Sequence, residues 1–277
     1  MGRAVADFNL IEEGDRVMVG VSGGKDSYTL LHLLERLRKR APIKFELMAV
    51  TIDSGYPGFR TDIIRDHLLE SGIPFHIEPT EHYQIIEAKR RPGSSYCSFC
   101  ARLKRGTLYT LAQQFNCNKL ALGHHLDDFV ETLLLNQFYV GSLKAMAPRM
   151  LADNGHTTVI RPLVYLAEDE IITFAKQMKF PIVCCRCPVC GVADIKRRRM
   201  KGLLTELQKE IPFIKQSLLN ALGNVKPRHL LDPHLTNLPT DDRVALFPAL
   251  TPPLFWGNVL RPTKRGDGFR FSEALSP

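Results

Sequence analysis

Residues 16–40 predict a strand that breaks at two adjacent glycines and continues as a helix, with the loop SGGKDS at the junction. Such a loop aims several backbone N–H groups at one point, with the positive end of the helix dipole behind them. Lys25 adds a positive charge, whereas Asp26 would repel a phosphate unless it held a metal ion. The loop therefore predicts a site for a metal-bound polyphosphate. Its members are Ser22, Gly23, Gly24, Lys25, Asp26 and Ser27.

The spacing of this loop differs from the GxxxxGKS/T loop of kinases and GTPases, because its glycines are adjacent and its lysine follows them at once. An ordinary glycine turn between a strand and a helix is the alternative interpretation. Six matching residues between a strand and a helix favour nucleotide binding over that turn. The loop resembles the pyrophosphatase loop of the N-type ATP pyrophosphatases, which transfer AMP from ATP to a carbonyl oxygen of their substrate.

Apolar runs and helical periodicity alternate along the first 180 residues. Strands are predicted at 16–21, 45–52, 74–78, 119–123 and 158–163, and helices at 25–40, 60–71, 103–115, 127–139 and 168–179. This order predicts an α/β fold with a doubly wound parallel sheet, whose ligand binds at the carboxyl ends of the strands. Gly23, Asp53 and Gly123 would then lie at one edge of the sheet, where Asp53 is placed to contact a nucleotide ribose.

The 277 residues divide into three predicted parts. Residues 1–180 form the nucleotide-binding domain, residues 181–231 a cysteine-containing basic helical appendage with a short helix at 212–222, and residues 232–277 a proline-rich, loosely ordered tail. The chain has no run of 18 apolar residues and no hydrophobic leader at its start. We therefore expect a cytoplasmic protein without membrane contact.

The positive charge is concentrated near the cysteines. The net charge of +8 suggests a polyanionic partner, and the densest basic block is residues 196–201. A second block comprises residues 89–91 with Arg102, Lys104 and Arg105. A solvated helix face is the alternative. Because both blocks flank cysteine pairs, we favour an RNA-binding surface around a reactive site.

Two CxxC pairs, at Cys97 with Cys100 and at Cys187 with Cys190, predict a metal site. Thiolates at this spacing can bind one metal, and two pairs together can hold zinc or an iron-sulfur cluster. The pairs are too far apart in sequence for a zinc ribbon, so the fold itself must bring them together. Cys117 is interpreted as a packing residue.

The order of five segments makes the resemblance specific. SGGKDS, YCSFCARLKRGTLYTLA, ALGHHLDDFVETLLLN, VIRPLVYLAEDEI and CPVCG follow one another as in the tRNA 2-thiocytidine synthetase family, the tRNA-cytidine(32) 2-sulfurtransferases of the PP-loop ATP pyrophosphatase superfamily. The resemblance covers about residues 5–232. It implies an adenine nucleotide alpha hydrolase-like fold, with ATP, Mg²⁺ and a 4Fe-4S cluster as cofactors. It also implies tRNA as substrate, adenylation of O2 of cytidine 32, a cysteine desulfurase as sulfur source and a homodimer.

The resemblance and the residues together suggest roles for individual side chains. Lys25, Asp26 and Asp128 are the predicted catalytic residues. The nucleotide would contact the loop, Asp53, Gly123 and His124. For the GHHxDD run, helix capping by Asp127 is the alternative to phosphate or metal contact. Arg161 is predicted either to bind phosphate or to pair with a carboxylate.

The cluster ligands implied by the resemblance are two cysteines of the first CxxC pair and one from the second region. The first two are Cys97 and Cys100. We favour Cys187 as the third, because the proline after it stiffens the turn, with Cys185 or Cys190 as alternatives.

Three other functions remain open from sequence alone. A lysidine synthetase shares the loop but needs no cysteine cluster, and a 2-thiouridine synthetase usually carries extra zinc-finger cysteines at both ends. This chain has no cysteine before Cys97 or after Cys190. The third alternative is a non-catalytic module that binds nucleotide, metal and RNA.

Overall fold

The strands in the described part of the chain form one six-stranded sheet. The computed structural model describes residues 1–91, 95–189 and 195–232 together with Leu235. The strands are β1 (Arg16–Gly20), β2 (Glu46–Asp53), β3 (Phe75–Pro79), β4 (Lys119–Ala121), β5 (Arg149–Leu151) and β6 (Thr158–Ile160). Their order across the sheet is β3-β2-β1-β4-β6-β5.

Helices connect the strands and continue beyond the last one. They are α1 (Gly2–Asp7), α2 (Lys25–Arg40), α3 (Thr61–Ser71), α4 (His82–Lys89), α5 (Tyr96–Gln114), α6 (Leu126–Tyr139), α7 (Glu168–Gln177), α8 (Ile195–Glu210) and α9 (Ile214–Gly223). A 3-10 turn at Pro227–His229 follows. None of the described helices is long and apolar enough to cross a membrane.

The sheet is mostly parallel, which confirms the predicted α/β class. β1 pairs in parallel with β2 and β4, and β3 and β6 extend the parallel array on either side. One edge strand departs from the predicted parallel arrangement, because β5 runs antiparallel to β6. β5 is three exposed residues long, so it lacks the buried apolar run by which the other strands are detected.

Alternating side chains of β1 enter cores on both faces of the sheet. Val17 and Val19 pack in a core with α2, α3, α6 and α7, whereas Met18 packs with α5 on the opposite face. Helices therefore cover both faces, as the predicted double winding requires. Because β2, β1 and β4 are parallel neighbours, their carboxyl ends lie at one edge of the sheet. The candidate site is at this edge.

The helices after residue 194 pack onto the same body. α8 and α9 both contact α6, and Met200, Leu204 and Leu219 are buried in the core that contains Val17. The division at residue 180 stays a prediction, but these helices share a core with the sheet. The predicted tail lies outside the described residues apart from Asp232 and Leu235.

The sequence prediction missed two helices and misplaced the start of a third. The N-terminal α1 and the helix α4 were not predicted. α5 begins at Tyr96 and not at residue 103, because the Ser95 hydroxyl caps its first turn by accepting from the Ser98 N–H at 3.3 Å. This earlier start places both cysteines of the first CxxC pair on the helix.

Candidate functional site

The loop after β1 depends on glycine at position 23. Gly23 has a φ of +81°, and a Cβ built on it would lie 2.9 Å from Ile64 Cδ1 and 3.1 Å from Val183 Cβ. Both the backbone conformation and the space therefore exclude a larger residue. The Gly23 carbonyl accepts a 2.9 Å hydrogen bond from the Val183 N–H, which ties the segment leading to the second cysteine group to this loop.

Two serines hold the loop in shape. Ser27 Oγ accepts from the Ser22 N–H at 3.1 Å and donates to the Gly24 carbonyl at 2.9 Å. Gly24 is the N-cap of α2 and supplies no side chain to its first turn. The first-turn amides of a helix lack intrahelical acceptors. The start of α2 therefore offers backbone N–H donors and the positive end of the helix dipole, which together can bind an anion.

Lys25 is surrounded by carboxylates. Its Nζ lies 2.9 Å from Asp26 Oδ1 and 3.2 Å from Glu168 Oε1, and Glu168 also pairs with Lys201. Burial lowers the pKa of Lys25, but Asp26 and Glu168 more than offset it and raise the pKa above its usual value. Lys25 therefore keeps its positive charge, which the carboxylates of Asp26 and Glu168 balance.

The segment after β4 approaches the same loop. A Cβ on Gly123 would lie 3.1 Å from the Asp26 carbonyl oxygen, so the chains touch through their backbones here. The buried His125 places its Nε2 3.7 Å from Asp26 Oδ1 and 3.4 Å from Asp128 Oδ2. Burial lowers the pKa of His125, but Asp127, Asp128 and Asp26 outweigh it and raise the pKa. Two predicted catalytic carboxylates thus converge on one imidazole.

Asp127 serves α7 and not its own helix. His125 is the N-cap of α6, and the Asp128 carboxylate accepts from the His125 N–H at 3.1 Å. Asp127 Oδ2 instead accepts from the Glu168 N–H at 2.7 Å, and its Oδ1 pairs with Lys215 of α9 at 2.6 Å. Burial raises the pKa of Asp127, but His125, Lys215 and the Glu168 N–H together hold it well below its usual range. The alternative interpretation, capping of α6 by Asp127, is therefore wrong.

His124 follows β4 and Asp53 ends β2, the strands on either side of β1. Arg161 Nε donates to His124 Nδ1 at 3.3 Å, and its guanidinium also donates to the Ala147 carbonyl. Among the described residues Arg161 pairs with no carboxylate, so that half of its prediction is wrong. Burial and then Arg161 lower the pKa of His124 to about 4. Asp53 ends β2, and its Oδ1 accepts from the Gly55 N–H at 2.9 Å.

The basic helix α8 turns part of its charge inward. Arg197 Nη1 lies 3.1 Å from both Asp128 Oδ1 and Glu131 Oε2. Lys201 contacts Glu168, the partner of Lys25. Burial raises the pKa of Glu131, with Arg197 opposing the shift. Two members of the basic block at residues 196–201, Arg197 and Lys201, therefore pair with carboxylates of the protein, and the RNA-binding role of the block stays a prediction.

The first cysteine pair lies in the first turn of α5. Cys97 is exposed and Cys100 is partly buried. The hydroxyl of the buried Tyr56 donates to Cys100 Sγ at 3.7 Å. Burial raises the pKa of Tyr56, and Tyr96 and Cys100 raise it further, so Tyr56 keeps its proton as a donor.

The second cysteine segment contains Cys185 and Cys187 among the described residues. The Cys185 thiol donates to Cys187 Sγ at 3.4 Å. Burial raises the pKa of Cys187 to about 11, and charges on Cys185 and Cys97 contribute to the shift. Burial also raises the pKa of Tyr96, and charges on Cys100 and Cys187 contribute to the rise. The fold therefore brings the two cysteine segments within electrostatic range of each other.

These thiols fit an iron-sulfur cluster by their chemistry. Cys97, Cys100, Cys185 and Cys187 belong to two segments within electrostatic range of each other, and thiolates are the ligands that such clusters use. Within residues 1–91, 95–189 and 195–232, no group of three histidine, cysteine or acidic side chains is arranged so that it could hold a metal ion. Cys190 lies outside the described residues. The fit thus rests on the donor set and the proximity of its two halves.

Comparison with known proteins assigns the family. A family model described as a PP-loop domain matches residues 3–183. A tRNA-cytidine(32) 2-sulfurtransferase from Geobacter sulfurreducens is 74% identical over 238 residues, covering 86% of this chain and 93% of that protein. The chain belongs to the tRNA-cytidine(32) 2-sulfurtransferase family. The enzyme of the same name from Geobacter metallireducens is also 74% identical, covering 85% of this chain and 91% of that protein.

A solved structure shares the fold of this family member. The U34-tRNA thiolase NcsA from Methanococcus maripaludis, with its 4Fe-4S cluster, matches with a TM-score of 0.66 and 24% identity. The match covers 86% of this chain and 78% of the thiolase. At this identity the likeness concerns the fold alone. The predicted family, enzyme class and α/β fold are confirmed.

The structure brings most of the predicted nucleotide-site residues to one edge of the sheet. The loop, Asp53, Gly123, His124 and Asp128 all follow β1, β2 or β4. Their roles in binding and catalysis stay predictions. Sequence reasoning missed Glu168, Tyr56 and the inward role of Arg197. The acidic start of α7 is a capping signal that gives no hint of Lys25, so no local pattern could have identified Glu168.

Proposed function

We propose that this chain is an ATP-dependent tRNA sulfurtransferase that replaces O2 of cytidine 32 in the anticodon loop with sulfur. The observation that carries the proposal is the hydrogen bond between Val183 and Gly23, which ties the second cysteine segment to the PP-loop. Relatives that are 74% identical over most of the chain are tRNA-cytidine(32) 2-sulfurtransferases. A site that activates an oxygen and a site that holds sulfur would thus be neighbours.

The PP-loop would activate the base. The β- and γ-phosphates of ATP bind at residues 22–27, where the first-turn amides of α2 point. Cytidine O2 attacks the α-phosphorus, pyrophosphate leaves, and the adenylated oxygen becomes a leaving group at C2. Lys25 stabilises the negative charge that develops at the transferring phosphate. Asp26 and Asp128 would hold Mg²⁺, because both approach His125 Nε2 and carboxylates are the ligands this ion prefers.

The cysteine segments would hold the 4Fe-4S cluster. Cys97 and Cys100 contribute from one helical turn and Cys187 from the second cysteine segment. When bound, the cluster would supply an iron site for the incoming sulfur. Cys185 is the alternative third ligand, since its Sγ is 3.4 Å from that of Cys187. The Tyr56 hydroxyl would hydrogen-bond the Cys100 sulfur.

The tRNA would contact the exposed arginines near the cysteines. Arg102 and Arg105 are exposed on α5, and Arg198 and Arg199 are exposed on α8. Guanidinium groups suit phosphate, and a base of a single-stranded loop leaves its stack at little cost. A cysteine desulfurase as sulfur source, a homodimer and a cytoplasmic location complete the proposal.

Activity in cells tests the role of the PP-loop. The chain and its variants are expressed in a bacterium that lacks its own cytidine 2-sulfurtransferase, and 2-thiocytidine in tRNA is measured by mass spectrometry. Lys25→Ala and Asp26→Ala should each lower thiolation by about 10²–10³-fold while keeping fold and iron, because Lys25 would stabilise the charge at the phosphate directly and Asp26 through the Mg²⁺ that it would hold. Lys39→Ala, at the exposed end of α2, is the control. Near-normal 2-thiocytidine with Asp26→Ala contradicts the assignment.

Iron content tests the cluster ligands. Anaerobically purified Cys97→Ala, Cys100→Ala and Cys187→Ala should lose iron and the electron paramagnetic resonance signal of the cluster. Cys117→Ala, a buried thiol remote from both segments in sequence, should keep them. If Cys187→Ala keeps its cluster while Cys185→Ala loses it, the third ligand is Cys185. Wild-type protein that carries zinc and no iron would refute the sulfurtransferase mechanism itself.

A further inference from the structure

The Asp128 carboxylate is held from two sides. Its Oδ2 accepts from the His125 N–H at 3.1 Å, at the start of its own helix. Its Oδ1 accepts from Arg197 Nη1 at 3.1 Å, from a helix nearly 70 residues away in sequence. With one hydrogen bond on each oxygen, the plane and direction of this carboxylate are set by two elements together. A single partner would leave it free to rotate.

Arg197 also neutralises a second acid. The same Nη1 lies 3.1 Å from Oε2 of Glu131, which is buried one turn after Asp128 on α6. Arg197 Nη2 lies 3.5 Å from Thr132 Oγ1. Replacement of Arg197 alone would therefore have two effects, an unpaired buried carboxylate at Glu131 and a loosened carboxylate at Asp128. A variant that separates these effects is needed to assign the role of Arg197.

The contact joins the nucleotide site to the chain around the cysteines. Val183 is bonded to Gly23 on one side of residues 184–187, and Arg197 reaches Asp128 on the other. Lys201, one turn after Arg197, reaches Glu168, which contacts Lys25. The inward side of α8 thus contacts two carboxylates of the nucleotide site, Asp128 and the Glu168 that pairs with Lys25.

We propose that Arg197 is a positioning residue that orients the Asp128 carboxylate toward the Mg²⁺ of bound ATP. The inference rests on the proposed function, in which Asp26 and Asp128 hold that ion. Residues that orient a metal ligand from behind typically change metal affinity or activity by 10–100-fold when removed. Arg197 suits this task because its planar guanidinium can serve two carboxylates at once, which a lysine ammonium does with less directional control.

The decisive variant is Arg197→Met combined with Glu131→Gln. Methionine keeps much of the length of the arginine, and glutamine removes the buried charge that Arg197 would leave behind. The measurement is ATP binding as a function of Mg²⁺ concentration, on anaerobically purified full-length protein. We expect the half-saturating Mg²⁺ concentration to rise by about 10–100-fold in the double variant. For Arg197→Lys we expect a half-saturating Mg²⁺ concentration between those of the wild type and the double variant.

Two controls make the result specific. Glu131→Gln alone keeps Arg197 and should retain the wild-type Mg²⁺ requirement. Lys209→Ala, near the end of the same helix and ion-paired with Glu206 three residues earlier, should do the same. A double variant with the wild-type Mg²⁺ requirement would overturn the proposal and leave Arg197 a structural partner of Glu131.

The proposed function can fail separately. Asp128→Asn should raise the Mg²⁺ requirement at least as much as the double variant does, and an unchanged requirement would overturn both the ligand role of Asp128 and this inference. If wild-type protein binds ATP with Mg²⁺ but never thiolates tRNA, the proposed function fails, while the Mg²⁺ titration still decides the role of Arg197.

Discussion

Replacing Gly23 with alanine separates the two reasons why the PP-loop has glycine there. The first is conformational, because a φ of +81° costs an L-residue about 1–2 kcal/mol. The second is steric, because the new Cβ would lie 2.9 Å from Ile64 Cδ1 and 3.1 Å from Val183 Cβ. Ile64 is fully buried and cannot move away easily, so overpacking adds about 1–3 kcal/mol.

Gly14 provides a matched control. It has the same φ of +81°, but a Cβ there would meet nothing within 4 Å. Gly14→Ala should therefore carry only the conformational cost, and the unfolded-state effect of alanine is the same in both variants and cancels in the difference. We expect the free energy of unfolding of Gly23→Ala to fall below that of Gly14→Ala by the steric part, about 1–3 kcal/mol.

Denaturant unfolding followed by circular dichroism measures this difference. Adding Ile64→Val removes the methyl nearest the new Cβ and should restore part of the stability of Gly23→Ala. ATP affinity should fall with Gly23→Ala and not with Gly14→Ala, because displacement of Val183 strains its hydrogen bond to the loop. Equal losses of stability in the two glycine variants would refute the steric argument.

Three further predictions follow from individual side chains. Tyr56→Phe removes the hydroxyl that donates to Cys100 Sγ, so a redox titration of the bound cluster should give a more negative reduction potential, and an unchanged potential would exclude this hydrogen bond in the loaded protein. Burial lowers the pKa of His124 from 6.5 to about 4, so the folded protein should lose stability as the pH falls from 6.5 towards 4. His124→Asn should flatten this part of the plot of melting temperature against pH. Parallel plots for the wild type and the variant would contradict the pKa shift. Arg198→Ala combined with Arg199→Ala should weaken tRNA binding about equally for different tRNA sequences. The salt dependence measured by filter binding should also fall, by about 1 in the logarithmic slope for each phosphate that the variant no longer neutralises. An unchanged slope would show that the two arginines are a solvated surface.

Local sequence was sufficient for the core of this fold. The apolar runs of β1, β2 and β4 and the periodicity of α2 are short-range patterns, and they placed Gly23, Asp53 and Gly123 at one edge because parallel strands end together. Strand β5 escaped detection because three exposed residues carry no periodic signal. Its pairing depends on the neighbouring β6.

Charge partners were decided only by the tertiary structure. In sequence, Arg197 is one cation of a basic block, equivalent to Arg198 beside it. In the fold, the rotation of about 100° between successive residues of α8 and the packing of that helix on α6 turn Arg197 to Asp128 and Glu131 and leave Arg198 exposed. Asp127 likewise looks like a cap for its own helix but bonds α7 and α9. Motif chemistry is local and readable along the chain, whereas the partner of a buried charge depends on which helices meet.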